Sequence, residues 1–176
     1  MKKICVMLLA LVILLVGCAT ESQSSVNDGG ATYSTTEPTL EMLPDIEGFT
    51  KNYAGSDGSI NYNSIDYQFA SVSFYIMPAT ADIIAEMTDR DLTDFNQYRK
   101  EMLANEPDFF LSEAVFETIS EKTVLTFNSK VGKDGHVIYE YHFLDGKNII
   151  VIVASDLLGN APDGFLDAAA RVIIAH

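Results

Sequence analysis

Two ionisable side chains stand two residues apart in the segment VIYEYHFL: Glu140 and His142. Residues i and i+2 of an extended strand share a face, so this carboxylate and imidazole can meet. Such a candidate polar pair could pass a proton or offer two ligands to a metal. Nothing in the sequence supplies the third group that either chemistry needs. The plainer reading is a half-exposed pair near the end of a sheet. The other histidines are His136, which follows a turn, and His176, the last residue; both read as solvated. No His-x-x-x-His and no cysteine pair offers zinc spacing.

Asp57-Gly58-Ser59-Ile60-Asn61 resembles the middle of an EF-hand loop. With Gly58 as the sixth position, the first is Tyr53, the third Gly55 and the twelfth Ser64. The oxygen ligands are missing there, including the bidentate Glu at the end, and a turn entering a strand explains the same residues. Glu86, Asp89, Asp91 and Asp94 could attract cations, but acids at a helix start are explained by helix electrostatics. There is no Gly-x-Ser-x-Gly elbow and no cysteine placed as a nucleophile. Gly132-Lys133-Asp134-Gly135 lacks the spacing and the following helix of a phosphate loop. No catalysis is expected, and no cofactor or metal.

The other chemistry-bearing residue is Cys18. Lys2 and Lys3 precede an apolar run from Ile4 to Val16. Thirteen residues reach about 20 Å as a helix, short of the roughly 30 Å hydrocarbon core, so the run reads as an export signal and not a span. Leu15-Val16-Gly17-Cys18 resembles the bacterial lipobox. That resemblance implies a diacylglyceryl group on the Cys18 sulfur, cleavage before Cys18, and fatty acyl chains that anchor the new N-terminus. Two or more chains give stable anchoring. Cys5 leaves with the signal, so the mature chain keeps no free thiol and no disulfide. The protein is therefore expected to be exported and held at the outer face of the cytoplasmic membrane, or at an outer membrane where the cell has one.

Residues 1–17 form the signal and 18–39 the lipidated cysteine with its tether; 40–176 form a single domain. Ala19 to Pro38 is rich in Ser, Thr, Asn, Gly and Glu and cannot bury enough surface to order itself. Twenty flexible residues have a root-mean-square span of about 25 Å. The whole chain has 11 Lys+Arg against 25 Asp+Glu, a net charge of −14; loss of Lys2 and Lys3 takes it to −16. This excludes nucleic acid, which needs a basic footprint. It also argues against the folded domain lying flat on anionic lipid.

Elements follow from periodicity. Leu40 to Tyr53 reads as loop with a short strand or turn, and Ser59 to Ile65 as a strand. Tyr67 to Met77 reads as a long strand whose apolar phase flips: Ile65, Tyr67 and Phe69 are odd, Val72, Phe74 and Ile76 even. An extra residue near Ala70-Ser71 or burial of both faces would explain the flip. Thr88 is the expected N-cap of a helix carrying Leu92, Phe95, Arg99, Met102 and Leu103 at helical spacing, closed by Pro107. Strands are expected over Leu111–Ile119 and Thr123–Ser129. Asp145-Gly146 then marks a hairpin that would pair Leu144 with Lys147 and Tyr141 with Ile150. Ile149 to Val153 is apolar at every position, the mark of a central strand buried on both faces. Asn160, Pro162 and Asp163 frame the start of a last helix with the stripe Phe165, Leu166, Ala169, Val172 and Ile173. The fold class is α+β: an antiparallel meander covered by helices in three layers, α/β/α.

YEYHFLDGKNIIVIVAS followed by FLDAAARVI resembles the C-terminal half of PsbP-like domains. The hallmark is a strand ending in Asp-Gly-Lys, a greasy strand and a terminal helix rich in small and aliphatic residues. The fold is shared by the thylakoid-lumen PsbP protein, a nuclear Ran-binding import factor and a set of bacterial lipoproteins, and the likeness covers roughly Ile60 to Ile174. It implies a binding or assembly module and transfers no functional residue. Three readings follow in order: an envelope module tethered to the membrane through lipid on Cys18, with a protein partner; a binder of a small molecule or cell-wall fragment in a pocket between sheet and helix; an enzyme using Glu140 and His142. Tyr53, Tyr62, Tyr67, Phe109 and Phe110 would form a binding patch if exposed together.

Overall fold

In a computed structural model of the chain, the structure describes residues 40–54, 59–103, 109–131 and 136–176. The signal, Cys18, the tether, Pro107 and the turns at 55–58 and 132–135 lie outside the described residues.

The fold is α+β with three layers. One antiparallel sheet is built from β1 (Phe49–Ala54), β2 (Ser59–Ser64), β3 (Ala70–Pro78), β4 (Phe109–Leu111), β5 (Val115–Ile119), β6 (Lys122–Val131), β7 (Val137–Asp145) and β8 (Asn148–Asp156). Their order is β1-β2-β3-β8-β7-β6-β4, with β5 also pairing β6. The sheet is thus two meanders, β1-β2-β3 and β6-β7-β8, joined where β8 lies against β3. Between them the chain makes α1 (Ala81–Asp89) and α2 (Thr93–Leu103). The last element is α3 (Phe165–Ala175). Among the described residues no helix is long and apolar enough to cross a membrane.

The apolar pattern decides which face each helix covers. Every residue from Ile149 to Ala154 is buried, as a central strand requires. Its even positions, Ile150, Ile152 and Ala154, join Val72, Phe74, Tyr141 and Phe143 under α3. Its odd positions, Ile149, Val151 and Val153, face the other layer with Tyr75, Met77 and Ile83. Helix α3 buries Leu166, Ala169, Ala170, Ile173 and Ile174. Val172 instead stays 45% exposed, so the buried stripe is rotated from the expected one.

Five local expectations change. The phase flip is neither a bulge nor a two-faced strand. Residues 65–69 form the loop between β2 and β3; Phe69 takes a left-handed φ of 61°, and the alternation restarts at Ala70. The helix starting at Thr88 is two helices. Thr80 caps α1, its side chain accepting from the Ile83 amide at 3.3 Å, while Thr88 lies inside α1 and donates to Ile84 O. Leu111–Ile119 is broken at Ala114, where the Asn96 amide both accepts from Ala114 N (2.7 Å) and donates to Ala114 O (3.1 Å). In the hairpin, Asp145 pairs with Asn148 and Tyr141 with Ile152, two residues on from the expected register. Gly146 takes φ of +60° and becomes the first central residue, with Lys147 second, the glycine placement of a type II′ turn. A shift of two keeps every side chain on its face. Helix α3 begins after Gly164 (φ 78°) with no side-chain cap, later than Pro162 suggested.

Candidate functional site: an acidic groove above a buried charge cluster

The corner between α1 and α2 builds a concave surface. Arg90 ends α1 in the left-handed region, at φ of 60°, and its amide donates to Glu86 O. Asp91 then accepts from Thr93 N at 3.0 Å and starts α2. This tight turn brings Glu86, Asp89, Asp91 and Asp94 around one groove of about 320 Å³. Its floor is Met87, Leu92, Phe95, Phe116 and Leu125. Burial pushes the Glu86 carboxyl up, whereas the Thr93 backbone amide and hydroxyl hold Asp91 below the ordinary carboxylate range. Arg90 turns away and donates to Thr123 Oγ1 at 3.0 Å. Among the described residues none of the four carboxylates forms an ion pair.

Phe95 forms part of this floor and also roofs a deeper layer. Phe95 and Arg99, four apart on α2, both point at the sheet. Phe95 meets Phe127 edge-on at 5.7 Å, and the Arg99 guanidinium carbon lies 4.2 Å from the Phe127 ring centre. Arg99 is 2% exposed and, among the described residues, donates one hydrogen bond, Nη2 to Asn128 O at 3.3 Å. Burial pulls its pKa down to about 10, opposed by the charge of Glu140.

The expected pair does form: His142 Nε2 and Glu140 Oε2 are 3.2 Å apart. It is not half-exposed at a sheet end. His142 is 1% and Glu140 3% exposed, because β7 lies between β6 and β8 with α1 and α2 packed above. Among the described residues, Arg99 Nε and Nη1 and His142 Nδ1 have no hydrogen-bond partner. Neither member of the pair reaches solvent, so in this arrangement it forms part of the scaffold beneath the groove. The helical spacing places Arg99 on the buried stripe but does not reveal that its charge is buried with it. Its signal was Phe95-x-x-x-Arg99 beside an i, i+2 Glu-His pair.

The opposite face holds a second polar set. Arg171 bridges Asp167, four residues back, and Glu117 on β5 at 2.9–3.2 Å. The Tyr141 hydroxyl donates to Asp167. These contacts raise the Arg171 pKa, and burial with Asp167 raises that of Tyr141. They saturate one another, which makes this groove a stabilising network.

His136 is half-buried and not fully solvated, while His176 is exposed. The early aromatics do not form one patch: Tyr62 is buried, Tyr67 packs edge-on against Phe165 at 5.1 Å, and Tyr53 is exposed. The side chains of Phe109 and Phe110 lie outside the described residues. Among the described residues no group of His, Cys, Asp and Glu could hold a metal ion.

No protein-family model matches the chain. No curated protein matches it either. Solved structures do share its outline. Cyanobacterial PsbP (CyanoP) from Synechocystis sp. PCC 6803 is 14% identical with a TM-score of 0.44, over 85% of this chain and 92% of that one. LpqN of Mycobacterium tuberculosis, involved in cell envelope biogenesis, is 17% identical with a TM-score of 0.45, over 74% and 78%. A protein from Bacteroides thetaiotaomicron is 11% identical with a TM-score of 0.48 over 76% of this chain, which spans only 42% of that protein's length. The expected PsbP-like arrangement is among these folds. At such identities and scores the likeness carries nothing about function.

Proposed function

We propose that this chain is an exported envelope lipoprotein, anchored through Cys18, whose domain binds a protein partner without catalysis. The observation that carries the reading is the groove at the α1–α2 corner, an apolar floor ringed by four carboxylates that form no ion pair among the described residues. Its chemistry suits a basic side chain borne on an apolar segment: the stem is buried on Phe95, Phe116 and Leu125, and the charge meets the rim. A net charge of −14 favours approach of such a partner and keeps the domain off anionic lipid. The burial of Glu140 and His142 weighs against the enzyme reading. A second reading, a small cationic ligand in the same groove, is favoured by its volume, which is at the lower end of small-molecule sites.

The test is cross-linking and co-purification of the lipidated chain from its own membranes at low and high salt. A stoichiometric protein partner, weakened by high salt and by Asp89→Asn with Asp91→Asn, is the expected result. Retention of that partner unchanged in the variant would remove the groove from the reading. A bound small molecule with no protein would favour the second.

A further inference from the structure

The end of the sheet where β2 turns into β3 carries large apolar side chains in the open. Ile65 is 65% exposed and Phe69 58%, in the loop between those strands. Leu157 and Leu158, in the loop after β8, are 50% and 56% exposed. The two loops are joined, since Leu157 N donates to Phe69 O at 3.2 Å. Phe69 holds a left-handed backbone at φ of 61°, an unfavourable conformation for a bulky residue. In the isolated domain its ring gains little burial in return. The tip is nevertheless fixed. Asp156 accepts from Leu158 N, Gly159 N and Ala161 N at 3.1, 2.9 and 2.7 Å. Below it, Tyr67 and Phe49 pack on Phe165 at 5.1 and 5.0 Å. Contiguous exposed apolar surface of this kind marks an interaction site.

We infer that the tip formed by Ile65, Phe69, Leu157 and Leu158 dips into the interface of the lipid bilayer, so that the domain stands end-on at the membrane. The inference rests on the lipid-anchor reading. Two observations name the occupant. First, the tip loops, 65–69 and 157–160, carry one acidic residue, Asp66, and no base, in a chain of net charge −14. Local charge therefore does not oppose contact with a zwitterionic surface. Second, the chain length outside the described residues matches the geometry. Ile65 N bonds to Gly48 O at the tip end of β1, while Leu40 N bonds to the Tyr53 hydroxyl at the other end. Six strand residues separate these ends by about 17 Å. A length of twenty residues, as from Ala19 to Pro38, would reach about 25 Å if it behaves as a flexible coil. Acyl chains on Cys18 and the tip can then engage the same bilayer, and the anchor makes tip contact intramolecular.

The chain contains no tryptophan, so an introduced one reports alone. Phe69→Trp, Leu158→Trp and, as a far-end control, Tyr53→Trp are made in the full lipidated chain. Each is reconstituted into phosphatidylcholine vesicles with brominated acyl chains. Blue-shifted, quenched emission at Phe69→Trp and Leu158→Trp, with none at Tyr53→Trp, is the expected result. Equal behaviour at all three positions overturns the inference. So does tip emission that shifts only when envelope proteins are added, which would make the tip a protein contact. Mass analysis of Cys18 tests the anchor separately. If it carries no lipid, the Cys18→Ser chain titrated with the same vesicles still tests the tip. There Leu158→Asp should weaken partitioning about tenfold, the effect of losing one buried apolar side chain. Phe69→Asn supplies a control for folding: asparagine tolerates the left-handed backbone, so vesicle binding should fall while the urea midpoint holds or rises.

Discussion

Replacing Arg99 with methionine isolates the charge buried beneath α2. The substitution keeps much of the apolar stem and removes the guanidinium. Three favourable contacts are lost. Taken at the roughly 6 Å outer limit of a direct charge effect and an effective dielectric near 20, attraction to Glu140 would be about 3 kcal/mol. The contact with the Phe127 ring contributes roughly 1–2 kcal/mol when desolvated, and the hydrogen bond to Asn128 O about 1 kcal/mol. Against these stands the desolvation of a cation that is 2% exposed, with Nε and Nη1 unpartnered among the described residues. A pKa held at about 10 against the ordinary 12.5 means that burial outweighs the attraction of Glu140. That shift is worth about 3 kcal/mol net of the Glu140 attraction, so the gross desolvation cost is about 6 kcal/mol, and Arg99→Met alone should be near neutral, within about 1 kcal/mol. Glu140→Gln removes the attraction and leaves the cation buried, so it should destabilise by about 3 kcal/mol. The sign of the coupling is the test: Arg99→Met should stabilise the Glu140→Gln background. Urea denaturation of the four chains at pH 8 measures it. Additive single effects would refute the reasoning, because they would mean that the two charges do not interact.

Alkaline pH probes the buried tyrosines. Burial raises Tyr62 to about 12, with Asp45 contributing, and it also raises Tyr139 and Tyr141. Above pH 10 the unfolded chain loses these protons first, so their stabilisation is complete below about pH 10 and falls as pH rises. Arg99 acts in the opposite sense between about pH 10 and 12.5, one group against three. Tyr62→Phe should flatten the fall measured by urea between pH 9 and 11, at a loss near neutrality of about 1 kcal/mol for the bond to Pro44 O. Asp156→Ala strands three backbone amides and should destabilise by about 3 kcal/mol in thermal unfolding, with Asp156→Asn milder. Gly146→Ala meets open space but a φ of +60°, so it should lower the urea midpoint by an amount equivalent to about 1 kcal/mol, and Gly146→Asn by less.

Much of this protein was legible because one face or both faces of an element must be apolar. The run Ile149–Val153 announced a central strand and hence two covering layers. Asp145-Gly146 announced the hairpin, though which pair of residues would sit at its centre depended on the backbone angle that Gly146 adopts. The flip between Phe69 and Val72 was visible, but its cause was not. A bulge, a double-sided strand and a tight loop all give the same string of letters, and only the left-handed turn at Phe69 separates them. Thr80 was harder to see as a helix start because the acids after Thr88, Asp89 and Asp91, imitate a first helical turn, although Ile83, Ile84 and Met87 do mark a stripe after Thr80.

The sequence by itself determined the acidic balance and the alternation that makes an α+β sheet, and it alone carries the pattern around Cys18 on which the proposed export signal and lipobox rest; each is local or additive along the chain. Tertiary structure alone decided that Glu140 and His142 are sealed, that Arg99 joins them, and that four separate acids ring one groove. It also placed Phe69 beside Leu157 at one tip. Burial and proximity depend on which strands neighbour which, and the β3–β8 pairing that sets them joins segments about seventy residues apart. No local pattern encodes that distance.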